Sequence, residues 1–224
     1  MEDIYKIQAF IWESQTANNC NTYIIDGPMK ILIDPGHLQM FGHVEDGLNQ
    51  MGLTVNDIDL VLCTHAHPDH IESVQLFKQQ TKALFAIHEK EWQWIVSMDK
   101  YIQSMFGTTI DAFRPDFLLK EGDLNVKGIN LMVIHTPGHS PGSICLYLPE
   151  DNVLFTGDLV FKQGVGRTDL PGGNGKLLKQ SIQRLCGIQQ LDWLFSGHGE
   201  VISGNEEIQS NFKEIEQFWL RFMT

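Results

Sequence analysis

The run Thr64-His65-Ala66-His67-Pro68-Asp69-His70 places three imidazoles and a carboxylate within six consecutive positions. Histidine is the commonest protein ligand for borderline divalent metals, and an adjacent carboxylate adds charge and a further oxygen donor. Two more histidines, His139 and His198, stand in Gly-flanked loops far along the chain. In an extended segment the side chains at i and i+2 face the same way, so His65 and His67 can address one ion. Pro68 biases His67 away from helical geometry and opens a helix, from whose first turn Asp69 and His70 project toward a neighbouring position. One short segment thus offers donors for two adjacent ions. Each ion needs ligands from elsewhere, and His139 and His198 are the natural suppliers.

These residues need elements to place them. Short apolar runs bounded by turn residues predict strands at 4–12, 22–27, 30–36, 58–64, 83–89, 129–136, 143–149, 152–158 and 192–198. The first three read as an antiparallel set, and Pro149-Glu150-Asp151-Asn152 reads as a hairpin loop. Helices are expected over 69–80, with Ile71, Val74 and Phe77 on one side, and over 89–106, 174–186 and 205–221. Trp92, Trp94, Met98, Tyr101, Met105 and Phe106 have partial helical spacing, which suits a core face or the wall of a pocket. Asp34, His65, His139, Asp158 and His198 each follow an apolar run, in a loop containing Gly or Pro or just after the strand end. Such loops can converge on one rim of a sheet system. With no linker, repeat or low-complexity tract, a single α/β domain over 1–224 is expected.

The formal charge of −12 argues against a nucleic-acid surface, which needs a basic stripe to neutralise phosphates. No apolar run approaches the roughly 20 residues of a membrane span. Acids at positions 2 and 3 and the lack of a basic, then apolar, leader predict no secretory signal, so a cytoplasmic location is expected. The four cysteines form no CxxC pair and read as buried thiols in a reducing compartment, with Cys63 an oxidation hazard close to His65. Gly138-His139-Ser140-Pro141-Gly142 matches the GxSxG elbow of serine hydrolases, but Pro141 lacks the N–H that the elbow's oxyanion hole uses. Gly172-Gly173-Asn174-Gly175-Lys176 resembles a phosphate loop without its full spacing and reads as an ordinary loop, with contact to an anionic substrate as the second reading. His37, His43, His88 and His135 read as surface, core or strand-end residues.

His65-Ala66-His67-Pro68-Asp69-His70, Thr136-Pro137-Gly138-His139-Ser140, Phe155-Thr156-Gly157-Asp158 and Ser196-Gly197-His198-Gly199 together resemble the HxHxDH and later His, Asp and His motifs of the metallo-β-lactamase superfamily, in order along essentially the whole chain. The resemblance implies a four-layer αββα sandwich and two divalent ions, zinc, iron or manganese. It implies a first ion held by His65, His67 and His139, a second by Asp69, His70 and His198, and Asp158 bridging them. It also implies hydrolysis by a hydroxide shared between the metals, with Asp69 orienting it or accepting its proton. Asp34 matches a family residue near the site that orients a ligand, with a turn-forming Asp before Pro as the plainer reading.

Gly166-Arg167-Thr168-Asp169 resembles the GRTD-containing loop of glyoxalase II-like and persulfide dioxygenase-like members. Arg167 either binds a substrate carboxylate or braces the loop by pairing with Asp169. The leading expectation is a small-molecule thioester of the hydroxyacylglutathione type, in a short glyoxalase II-like form, since the stretch after His198 does not hold the helical domain of full-length glyoxalase II. The alternatives are a persulfide dioxygenase with one iron on His65, His139 and Asp158, and lactone or β-lactam hydrolysis. A flavodiiron role is disfavoured, since position 67 is His where those proteins carry Glu.

Overall fold

The computed structural model describes residues 5–14 and 16–221. Ile4, where the first strand is expected to begin, and the acids at positions 2 and 3 lie outside them. The chain divides into two compact units, Met1–Leu119 with Val126–Ile129, and Lys120–Asn125 with Asn130–Thr224. Each is built on its own six-stranded sheet.

In the first unit the strands β1 (Lys6–Phe10), β2 (Thr22–Asp26), β3 (Lys30–Ile33), β4 (Leu60–Leu62), β5 (Leu84–His88) and β6 (Phe117–Leu119) lie side by side in chain order. β1 to β3 are antiparallel, as expected, and β3 to β6 run parallel. Ile31, Leu32 and Ile33, and Leu60, Val61 and Leu62, are buried at every position. Strands covered on both faces read as unbroken apolar runs rather than alternating ones, which is why the sequence reveals them. Leu32, Val61, Phe85 and Ile87 share a core with residues of four helices, α1 (Gly42–Gln50), α2 (Pro68–Ile71), α3 (Val74–Gln80) and α4 (Glu89–Ser97). Each such side chain contributes about 1.5–3 kcal/mol of transfer free energy. The C-terminal ends of β3, β4 and β5 lie at one edge, so Asp34, the histidine run and the start of α4 emerge next to one another.

Two expected helices are interrupted. The 69–80 helix is split into α2 and α3 because the buried Ser73 donates its backbone N–H to Gly36 O (2.9 Å), tying the chain to the loop after β3. Ile71, Val74 and Phe77 still face the core as their spacing predicts. The 89–106 helix breaks at Met98 into α4 and α5 (Asp99–Phe106). Trp92 and Trp94 pack against the first unit's core, whereas the side chains of Tyr101, Ile102, Met105 and Phe106 lie outside the described set. Helix α1 is not foreseen by the sequence. It buries only Val44 and Leu48, and its Gly47 lowers helix propensity. That glycine is required, since a Cβ there would meet the Phe10 ring at 2.5 Å.

The second unit contains β7 (Gly122–Val126), β8 (Ile129–His135), β9 (Ile144–Leu148), β10 (Val153–Gly157), the hairpin β11 (Val160–Phe161) and β12 (Gly164–Val165), β13 (Trp193–Ser196) and β14 (Ile202–Ser203). Its main sheet has the order β14-β13-β10-β9-β8-β7. The predicted hairpin is β9 with β10. Helices α6 (Gly175–Leu185) and α7 (Asn205–Phe218) lay Leu178, Ile182, Leu185, Ile208, Phe212 and Ile215 onto Ile134, Cys145, Leu154 and Leu194. β10 and β13 are parallel, and their register slips between Phe155 and Gly157, so that Thr156 is an extra, bulged residue. Its hydroxyl donates to Val160 O (2.9 Å). Beyond that bulge Gly197 N donates to Gly157 O (2.8 Å), which brings Asp158 and His198 to the same strand end. Among the described residues no helix is long and apolar enough to cross a membrane.

Candidate metal centre

Within the first unit, Asp34 organises the histidine run. It sits at φ 53°, a left-handed conformation that Asp tolerates better than most residues. Its Oδ1 accepts from Thr64 N (2.7 Å) and its Oδ2 accepts from Thr64 Oγ1 (2.7 Å) and His70 Nδ1 (2.9 Å). With its proton on Asp34, the Thr64 hydroxyl accepts in turn from His65 Nδ1 at 3.1 Å. Both imidazoles are therefore held by hydrogen bonds at Nδ1, which leaves Nε2 as the nitrogen through which a metal would be ligated. Asp34 thus ties Thr64 and the His70 ring together at the end of β3.

The donors are close together. Ligand atoms of His65 and His67, of His65 and His70, and of Asp69 and His70 lie within 4.8 Å of each other. His67 has φ −68° and ψ 150°, the extended conformation expected before Pro68, which starts α2. Asn18 Nδ2 donates to Asp69 Oδ2 at 2.7 Å. Trp12 Nε1 donates to Ala17 O (2.8 Å) and Asn19 Oδ1 accepts from His37 N (2.8 Å), so the loop that carries Asn18 is held on both sides. Glu91, fully buried near the start of α4, accepts from Ala66 N at 2.8 Å. The sequence gives no sign of Asn18 or Glu91. Both act on the histidine run from a distance along the chain, and neither belongs to a motif.

In the second unit a single carboxylate oxygen faces two imidazoles. Asp158 Oδ2 lies 3.5 Å from His139 Nε2 and 3.3 Å from His198 Nε2. His139 Nδ1 donates to Arg167 O at 2.8 Å, which again leaves Nε2 to bind. The His198 ring meets Phe161 edge-on, with centroids 5.9 Å apart. The Gly166-Arg167 segment crosses closely behind these groups. A Cβ on Gly166 would overlap the Asp158 carbonyl oxygen and lie 3.1 Å from His139 Nδ1. Arg167 Nε and Nη2 meet Asp169 Oδ1 and Oδ2 at 2.7 and 2.6 Å. That fork holds the exposed Asp169 carboxyl down at about 2. The Arg167 side chain is thus engaged with Asp169, while its main-chain carbonyl orients His139.

The competing motifs resolve structurally. Ser140 is buried with its hydroxyl 2.6 Å from Ser143 Oγ, and Asn174 caps α6 by accepting from Leu177 N. His135 Nε2 bonds Pro141 O, His37 pairs with Glu72, His43 stands edge-on to Trp12 and His88 caps α4. Cys63 is fully buried and its thiol donates to His70 O at 3.8 Å. Burial pushes that thiol up, away from the thiolate form that oxidants attack, so the feared hazard beside the metal run is muted.

The donor chemistry fits divalent first-row ions: neutral imidazoles set by hydrogen bonds at Nδ1, with carboxylates among them. We expect Asp34→Asn to keep the backbone conformation but lose the acceptor for His70 Nδ1, weakening metal binding by about 10–100-fold. Titration of the apoprotein with Zn(II) checks this, and unchanged affinity would remove Asp34 from the site.

A family model described as the metallo-beta-lactamase superfamily matches residues 16–198. A protein described as a probable metallo-hydrolase of Methanocaldococcus jannaschii is 36% identical over 185 residues, 81% of this chain and 88% of that one. The hydroxyacylglutathione hydrolase GloC of Haemophilus influenzae is 32% identical over 197 residues, 86% of this chain and 91% of that one. Among solved structures, TTHA1623 in a di-iron-bound form superposes with a TM-score of 0.68 at 30% identity, covering 86% of this chain and 94% of the other.

Proposed function

Because this chain belongs to the metallo-beta-lactamase superfamily, we propose that it is a binuclear metallo-hydrolase whose substrate is the thioester of a small thiol-linked acyl compound, of the hydroxyacylglutathione type. The observation that carries the binuclear reading is Asp158, one of whose oxygens faces His139 and His198 together. In the family pattern those two histidines serve different ions, so a carboxylate shared between them suits a bridge. The similarity to GloC and the Gly166-Arg167-Thr168-Asp169 loop support the thioester as substrate.

On this reading His65, His67 and His139 would hold one ion, Asp69, His70 and His198 the other, and Asp158 would serve both. Bound there, such ions would supply Lewis acidity and make a water nucleophilic near neutral pH. The chain's own groups do the rest. Asn18 fixes the Asp69 carboxylate, which orients the attacking water or takes its proton. Asp34 and the Arg167 carbonyl hold imidazoles in their ligating tautomers. No side-chain nucleophile is needed, in keeping with a buried Ser140. We read the two units as halves of one catalytic domain, since the family match runs through both. Cysteines that are thiols rather than disulfides suit a reducing compartment such as the cytoplasm, and the charge of −12 suits a small-molecule rather than a nucleic-acid partner.

Metal analysis joined to an assay tests the reading. The purified protein should carry about two ions of zinc, iron or manganese and hydrolyse S-lactoylglutathione without oxygen. One iron per chain, with oxygen uptake on glutathione persulfide and no thioester cleavage, would overturn it in favour of a dioxygenase.

A further inference from the structure

Glu91 is a charged residue with no exposed surface. Burying a carboxylate costs several kcal/mol unless its surroundings compensate. Part of the compensation is local: Glu91 is the third residue of α4, where the N-terminal end of the helix favours negative charge. The rest of its setting is set by the sheet. β5 pairs in parallel with β4, and Cys63 N donates to Ala86 O, so the chain leaving β5 runs beside the chain leaving β4. That register carries the first turn of α4 to the histidine run, where Glu91 Oε1 accepts the Ala66 N–H at 2.8 Å. Trp94, three residues on and so on the same helix face, meets the His67 ring edge-on with centroids 6.1 Å apart.

We propose that Glu91 is a positioning residue that holds the His65-Ala66-His67 segment in its metal-binding shape through the Ala66 peptide. Ala66 lies between the two imidazoles, and its N–H belongs to the peptide plane that joins it to His65. Fixing that plane fixes the directions in which the side chains on either side leave the backbone. Trp94 limits the swing of the second ring. The chelating pair is thereby set before any ion arrives, and the ordering cost of ligation falls. This rests on the metal assignment above and not on the choice of substrate.

The test is titration of the metal-free full chain with Co(II), followed by its visible spectrum, together with thermal melting of the apoprotein. Wild type should bind about two equivalents. Glu91→Ala should weaken one of them by about 10–100-fold and alter its band, while Glu91→Gln, which keeps a carbonyl acceptor of the same reach, should restore both affinity and spectrum. Wild-type affinity in Glu91→Ala would overturn the proposal. Equal weakening in a folded Glu91→Gln would also overturn it, by assigning the effect to charge. Should Glu91→Ala not fold, Glu91→Asp takes its place, since one methylene less withdraws the carboxylate from Ala66; it should bind more weakly, and wild-type binding would again refute the inference. If wild type binds no cobalt at all, the metal assignment fails and this proposal with it, whereas loss of thioester hydrolysis alone leaves it standing.

Discussion

Asp158→Ala should abolish turnover, lowering kcat/KM by more than about 10⁴-fold, or ~5 kcal/mol of transition-state stabilisation. Bound metal should fall below about one ion per chain. The size of the effect follows from position. On the proposed assignment, removing His65 takes one donor from one ion. Removing Asp158 takes away the carboxylate that His139 Nε2 and His198 Nε2 both face at 3.5 and 3.3 Å, and on the proposed assignment it leaves Asp69 as the one carboxylate of the ligand set. The carboxylate is mostly buried, yet the hydrogen bonds that shape its strand end are made by the main chain and by Thr156. The variant should therefore melt as an intact apoprotein. His65→Ala should follow the same direction. Unchanged metal content and rate in both variants would refute the site assignment.

Gly166→Ala should damage the same centre without replacing any of the proposed ligands. A methyl group there would drive into the Asp158 carbonyl and crowd His139 Nδ1. The segment has to move, taking with it the Arg167 carbonyl that holds the His139 tautomer. Overpacking of this kind costs about 1–3 kcal/mol, and loss of an imidazole's orienting partner weakens metal binding by about 10–100-fold. The informative comparison is Arg167→Ala. Its guanidinium is exposed and engaged with Asp169, while the main-chain carbonyl it offers to His139 survives the change. Metal content should then fall in Gly166→Ala and hold in Arg167→Ala. A wild-type Gly166→Ala beside an Arg167→Ala with sharply raised KM would show that the loop reads substrate through its side chain.

Much of this molecule is legible in its sequence because its signals are local. β3, β4 and β5 announce themselves as short apolar runs, and Pro68 marks the change from extended chain to helix within the histidine run. What escapes is decided by distant partners. The break between α2 and α3 comes from a backbone bond to Gly36, α1 hides behind two glycines and a polar face, and Glu91 works through a peptide N–H that no motif records. Arg167 is half legible: its motif is clear, and only its partners decide between brace and substrate contact.

The bulge at Thr156 turns the second unit's contribution into a matter of counting. Side chains alternate across a strand, so a shift of one position sends each to the opposite face. One residue more or less between Phe155 and Asp158 would turn the carboxylate away from His139 and His198 even if every residue type were kept. This stretch can therefore change letters during descent more readily than it can change length. The turn at the other end of the same strand is tied down as well, since Asn152 O accepts from Asp192 N at 2.9 Å, so the strand between the two is fixed in length at both ends.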